Sequence, residues 1–137
     1  MSNKESGIEG EPTEVPFSRL WPVMIAKIRR PQDFLPVHNV RYTDVRDENG
    51  VILYVDRYMS MNGSEEQIHE FIYEDEKGGA IRFVRQDTGD VVINAYHFDR
   101  KTIEYWLEDK EGRRIPWETP PGAVLNSIRA TYQKAAE

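Results

Sequence analysis

Residues 17–36 read FSRLWPVMIAKIRRPQDFLP, and the spacing of their apolar side chains sets what the rest of the chain must supply. Phe17, Leu20, Trp21, Met24, Ile25 and Ile28 recur at intervals of three and four, while Ser18, Arg19, Lys27 and Arg29 fall largely on the other side. That is the period of an amphipathic helix with one buried face. Proline at 16 and 22 suits a helix only near its start, so regular turns are expected to begin near Pro22 or to follow a distorted first turn. Pro31 ends the helix, residues 32–35 leave room for one short turn, and Pro36 forces extension. Trp21 and Phe34 are expected to close one end of a cavity. A helix with a single apolar face needs a partner surface, and the residues downstream read as strands.

The bulk properties bound the answer. The chain has 137 residues, of which 39% are hydrophobic, a net charge of -6 and no cysteine. This is enough for one domain with a real core and too little for two. Without cysteine there is neither a disulfide framework nor thiolate chemistry. No apolar run is long enough to span a bilayer and no segment reads as a signal, so a cytoplasmic protein with no membrane partner is expected. Acidic and basic residues are interspersed under a net negative charge, which argues against nucleic acid as a partner, because phosphate neutralisation needs a basic surface.

Residues 1–15 are polar and rich in Glu, Gly, Ser and Pro, and are expected to form a flexible tail in which Ile8 can anchor a short edge strand. Residues 16–137 form the single domain. Strand-like runs at 37–46, 51–60, 67–74, 80–86, 91–98 and 102–108 are separated by turn signals, among them Asn49-Gly50, Asn62-Gly63 and Lys77-Gly78-Gly79. Their short spacing is that of an antiparallel meander. Thr119 is a candidate N-cap with Pro120 as the first helical residue, and Val124, Leu125, Ile128 and Tyr132 line one face of a terminal helix. Trp117, just upstream, is placed to plug the opening beneath it. The expected fold is α+β, a curved antiparallel sheet of six to seven strands wrapped around a long C-terminal helix.

Hairpin parity assigns side chains to faces, since a loop of even length pairs odd with even positions and a loop of odd length preserves parity. Even loops place Ile68, Glu70, Ile72, Ile81, Phe83, Asn94, Tyr96, Phe98, Ile103, Tyr105 and Leu107 on one face. A three-residue loop at 61–63 adds Tyr54, Asp56 and Tyr58, whereas a two-residue loop at Asn62-Gly63 would put Asp56 on the face of His69. The apolar majority marks this face as the one under the terminal helix. Asp56, Glu70 and Asn94 are its polar residues, and they form either a satisfied internal network or part of a hydrated ligand pocket. In the pocket reading, Glu70 and Asp56 are the candidate acid–base groups, since a carboxyl in an apolar cavity has a raised pKa. Asn94, Tyr54, Tyr58, Phe83, Tyr96 and Tyr105, with Trp21 and Ile128 from the helices, are the candidate binding residues. The opposite face, with Leu53, Val55, Phe71, Tyr73, Val84, Ile93, Ala95 and Trp106, is more apolar than a solvated surface needs, which points to partial cover or a homo-oligomer contact.

Other chemistries find little support. His38, His69 and His97 lie on separate strands without ligand spacing, so no metal is expected. Ser60, Ser64 and Ser127 lack a nucleophile-elbow context, and no glycine-rich loop links a strand to a helix, so neither hydrolase chemistry nor a nucleotide cofactor is expected.

The opening stretch, through Trp21, Lys27, Pro31, Gln32, Asp33, Phe34 and Pro36, resembles the start of the AtaL-like family, where a Trp-containing helix runs into a polar patch and a proline-bounded turn. Asp56 resembles that family's acidic residue in an Arg-Glu strand, His69-Glu70 a second such pair, and Val92-Ile93-Asn94-Ala95-Tyr96 its Val-Thr-Asn-x-Ile strand. The departures are Asp for Glu at 56, and Val55 and His69 in place of the family's arginines. The resemblance implies membership of the START-like, Bet v1-like (SRPBCC) set and its helix-grip fold, which holds apolar molecules between sheet and helix. It also implies a role in secondary metabolism. Two functions follow as expectations: an isomerase or cyclase that acts without a cofactor on a polyketide-like or other hydrophobic intermediate by carboxylate acid–base chemistry, or a noncatalytic carrier of a hydrophobic or aromatic small molecule.

Overall fold

The computed structural model describes residues 7–117 and 119–137. In chain order it contains β1 (Gly7–Glu9), α1 (Phe17–Arg29), a 3-10 turn (Pro31–Asp33), β2 (Val37–Arg46), β3 (Ile52–Met61), β4 (Ile68–Asp75), β5 (Ala80–Arg85), β6 (Val91–His97), β7 (Thr102–Glu108), β8 (Arg114–Ile115) and α2 (Pro121–Ala136). All strands belong to one antiparallel sheet in the order β1-β7-β6-β5-β4-β3-β2, with β8 also paired to β7. The six-stranded meander expected from the turn signals is β2 to β7, and two short strands extend its β7 edge. This is the α+β helix-grip arrangement.

The first helix begins earlier than its prolines suggested. The carbonyl of Pro16 accepts from the Arg19 and Leu20 N–H groups, so the regular turns start at Phe17 and Pro22 lies inside the helix. Pro22 has no N–H for the Ser18 carbonyl, but both residues are exposed, and water can serve that carbonyl. The second helix starts at Pro121 with Pro120 in the N-cap position, and Thr119 makes no side-chain cap. Its buried face is Val124, Ser127, Ile128, Thr131, Tyr132 and Ala135, with Leu125 only half-buried.

Residues 7–15 are not a loose tail. Ile8 pairs with Tyr105 in the edge strand that its sequence suggested, and the Gly10 and Thr13 N–H groups continue along β7 to the Ile103 and Lys101 carbonyls at 2.9 Å each. Residues 1–6 of the expected tail lie outside the described residues. Gly10 is where the chain passes under α2: a Cβ there would sit 2.7 Å from Ile128 Cγ2 and 2.9 Å from the Tyr132 hydroxyl oxygen. That hydroxyl in turn accepts from the Ile103 N–H at 2.9 Å, fastening α2 to β7.

The main core cluster lies between the sheet and the helices. It joins Leu20, Trp21, Met24 and Ile28 of α1 to Val124, Ile128, Tyr132 and Ala135 of α2 and to Val55, Ile72, Ile81, Phe83, Tyr96, Ile103 and Tyr105 of the sheet. Each fully buried Leu or Ile among these contributes about 1.5–3 kcal/mol. A smaller cluster, Val91, Ile93 and Ala95 with Val84 and Trp106, covers part of the opposite face of the sheet.

The registers of β4 through β7 follow the expected parity, with Glu70 opposite Arg85, Ile72 opposite Phe83, Ile81 opposite Asn94, and Asn94 opposite Tyr105. The β3–β4 register does not. The last pair is Met59 with Ile68, which leaves an even-numbered connection, 60–67, where an odd loop was expected. The cause is tertiary: Ser60 and Met61 pair with His38 and Val37 of β2, so β3 runs on past the end of β4. Parity therefore flips for all of β3. Val55, Arg57 and Met59 face the helices, whereas Tyr54, Asp56 and Tyr58 face away. Val55, expected outside, is fully buried in the core.

Candidate functional site

Between the sheet, the C-terminal half of α1 and the start of α2 lies a cavity of about 480 Å³. Its sheet wall carries Arg57 and Met59 of β3, Ile68 and Glu70 of β4, Phe83 of β5, Val92 and Asn94 of β6, and Tyr105 and Leu107 of β7. Lys27, Val124 and Ser127 come from the helices, and Ile115 and Trp117 from the segment between β7 and α2. The lining is mostly apolar, with a few convergent polar groups, which is the usual composition of a small-molecule pocket.

Those polar groups are organised by the flipped register. Arg57 and Glu70 are direct cross-strand partners, and the Arg57 Nη2 donates to Glu70 Oε1 at 2.6 Å. Arg57 Nη1 donates to the carbonyls of Lys27 and Ile28 at 3.1 and 2.9 Å, satisfying two of the last-turn oxygens of α1 that have no helical partner. One guanidinium thus binds the helix end to the sheet and balances the buried carboxylate. Glu70 Oε2 makes no hydrogen bond among the described residues.

Lys27 enters this wall from α1 with 5% of its surface exposed. Its Nζ donates to the Tyr105 hydroxyl and lies 3.9 Å from the Tyr105 ring centroid. Burial pushes the Lys27 ammonium down from its ordinary pKa, the charge of Arg57 adds to this, and Tyr105 acts in the opposite direction without cancelling it.

Four buried side-chain atoms have no partner among the described residues: Arg57 Nε, Asn94 Oδ1, Trp117 Nε1 and Ser127 Oγ. All four belong to residues that line this cavity. Most buried polar atoms in proteins are paired, so their concentration around one cavity marks a place where polar groups of another molecule can fit.

The expected site residues divide cleanly. Glu70, Asn94, Phe83 and Tyr105 line the cavity as expected. Asp56 does not: it is on the opposite face, 2.7 Å from His69 Nε2, which is the arrangement a two-residue turn at Asn62-Gly63 would have given. Tyr58 stacks on His69 and Tyr54 on Phe71 on that same outer face, at 4.1 and 4.6 Å between centroids. Tyr96 faces inward but packs at 5.3 Å against Phe17, away from the cavity. Trp21 and Ile128 belong to the core between the helices, and Phe34 lies under Lys134, so none of these closes the cavity. Trp117 lies at the cavity wall.

Lys27 and Arg57 are the residues that reading by pattern missed. The charge of Lys27 suggests the polar side of the helix, yet it lies three residues after Met24 and seven after Leu20, on the stripe that is buried. Arg57 was lost with the β3 register. No family model matches this chain, and no curated protein is detectably similar to it in sequence. Among the described residues, no group of three or more His, Asp or Glu side chains is placed to hold a metal ion, and no helix is long and apolar enough to cross a membrane.

Proposed function

We propose that this chain binds a hydrophobic, aromatic or polyketide-like small molecule in the cavity, with the polar end of that molecule against Lys27, Arg57, Glu70, Asn94 and Tyr105. The observation that carries the reading is the set of four unpartnered buried atoms, all on residues lining one cavity. Leaving such an atom unsatisfied costs about 1–3 kcal/mol, and a ligand bearing its own donors and acceptors would offset that cost. The resemblance to the AtaL-like family supports the same reading and adds secondary metabolism as its setting. Saturable quenching of tryptophan fluorescence by an apolar ketone such as β-tetralone, lost in large part in Trp117→Phe, is the expected result. Failure of this ketone and of aromatic alcohols to bind would sink the reading.

A catalytic form, an isomerase or cyclase, is favoured by a second observation: a carboxylate with one oxygen unengaged, an amine and a phenol share the cavity wall. Glu70 would take a proton from carbon beside a carbonyl while Tyr105 and Lys27 stabilise the enolate. Exchange of the α-protons of β-tetralone in heavy water, followed by NMR, is expected to exceed the buffer rate. Glu70→Gln, which keeps an oxygen for Arg57, should slow that exchange by about a hundredfold with binding retained. Binding with exchange at the buffer rate would leave the protein a carrier.

A further inference from the structure

A lysine with one-twentieth of its surface exposed has two ordinary explanations. It can neutralise a buried carboxylate, or it can cover apolar surface with its stem while its nitrogen reaches water. Lys27 does neither. Among the described residues it forms no ion pair: Glu70, the buried carboxylate of the cavity, is engaged by Arg57 at 2.6 Å, and Asp90, which also lines the cavity, is not paired with it. Its nitrogen stays inside, bonded to the Tyr105 hydroxyl. The Tyr105 ring at 3.9 Å favours the ammonium form, while burial and the Arg57 charge favour the amine and prevail. Asn94, whose Oδ1 has no partner, is the cross-strand neighbour of Tyr105.

We propose that Lys27 is a reactive amine that forms an imine with an aldehyde or ketone group of the cavity's ligand. The inference rests on the cavity being a small-molecule site and names the chemical class that site would take. The neutral Nζ lone pair forms the C–N bond as the carbonyl π pair moves to oxygen. Tyr105 gives that oxygen a proton and receives one from nitrogen, leaving a carbinolamine and an intact phenol. Tyr105 then protonates the carbinolamine hydroxyl, the C–O bond breaks and water leaves. The nitrogen lone pair closes the C=N bond, and the phenolate takes the remaining N–H proton to give the imine. The sum is carbonyl plus amine giving imine plus water, with no oxidant or reductant. Asn94 Oδ1 is available to accept from the carbinolamine hydroxyl.

The test incubates the full chain with naphthaldehyde at about pH 8, reduces with borohydride and maps the modified lysines by mass spectrometry. An ordinary lysine is only about 0.4% unprotonated at that pH, so Lys27 is expected to be modified at least about tenfold faster than the exposed Lys77, Lys101, Lys110 and Lys134. Lys27→Met should remove the fast adduct, and Tyr105→Phe should slow it. Modification of Lys27 no faster than of the exposed lysines in the unaltered chain overturns the proposal, whatever the variants do. Binding of naphthalenemethanol, the corresponding alcohol, separates the two failures. If the alcohol quenches tryptophan fluorescence and Lys27 stays unmodified, the amine chemistry falls and the cavity reading stands. If neither compound binds, both fall.

Discussion

The guanidinium of Arg57 meets a cross-strand carboxylate and two carbonyls at a helix end, so one side chain ties β3 to β4 and to α1. Removing one partner of a buried pair leaves the other charged and unpaired, which costs about 3–5 kcal/mol. Arg57→Met should lower stability on that scale in urea denaturation, and Arg57→Met combined with Glu70→Leu should recover much of it. A double variant as unstable as the sum of its parts would show that the pair is not coupled. Lys27 gives a second prediction, in pH. Between its lowered folded value and the ordinary lysine value of about 10.4, the unfolded chain holds a proton that the folded chain has released, so stability rises with pH. The contribution is complete above that ordinary value and is lost as pH falls through the lowered one. Lys27→Met lacks it, so the stability of the unaltered chain relative to this variant should increase as pH rises toward the ordinary lysine value. A difference independent of pH would contradict the lowered value.

At the scale of elements, β1's continuation fits closely beneath α2. Gly10 passes beneath Ile128 and Tyr132 with no space for a methyl group, and Ile128 is fully buried. Gly10→Ala should therefore force α2 away from β7 and lengthen the Tyr132 bond to the Ile103 N–H. The expected cost is about 1–3 kcal/mol, the usual scale of overpacking. Faster hydrogen exchange at the Ile103 amide, with little change in β3 to β5, is the signature to look for. Unaltered exchange there would mean that α2 is not clamped by this contact.

For the molecule as a whole, the cavity sets stability against binding. Packed against the sheet, α1 and α2 do not fill the space over it completely, leaving a cavity of about 480 Å³. Asn94 contributes an unpartnered oxygen to that space. Asn94→Leu should stabilise the unliganded protein by about 1–2 kcal/mol by removing a buried unsatisfied group, and should weaken the binding of ketones. A higher melting temperature with weaker tetralone binding is the expected pair of results. Loss of stability would mean that the Asn94 side chain is satisfied in solution.

Much of this architecture is local and was legible in order along the chain. The apolar period of 17–28, the turn residues between strands and the proline-started terminal helix depend on neighbours a few positions away, so they can be read without knowing the fold. Even the inward placement of Glu70, Asn94, Phe83 and Tyr105 followed from short turns of even length. The composition of the site did not. Whether Asp56 or Arg57 faces the cavity turns on the parity of residues 60–67, and that parity depends on the pairing of Ser60 and Met61 with a strand some twenty residues earlier in the chain. Whether Lys27 is a solvated charge or a buried amine depends on what lies over its edge of the apolar stripe, and there the sheet supplies Tyr105 and Phe83. A period of two or of 3.6 fixes relative positions within one element; which side of that element is inside is decided by long-range pairing and packing.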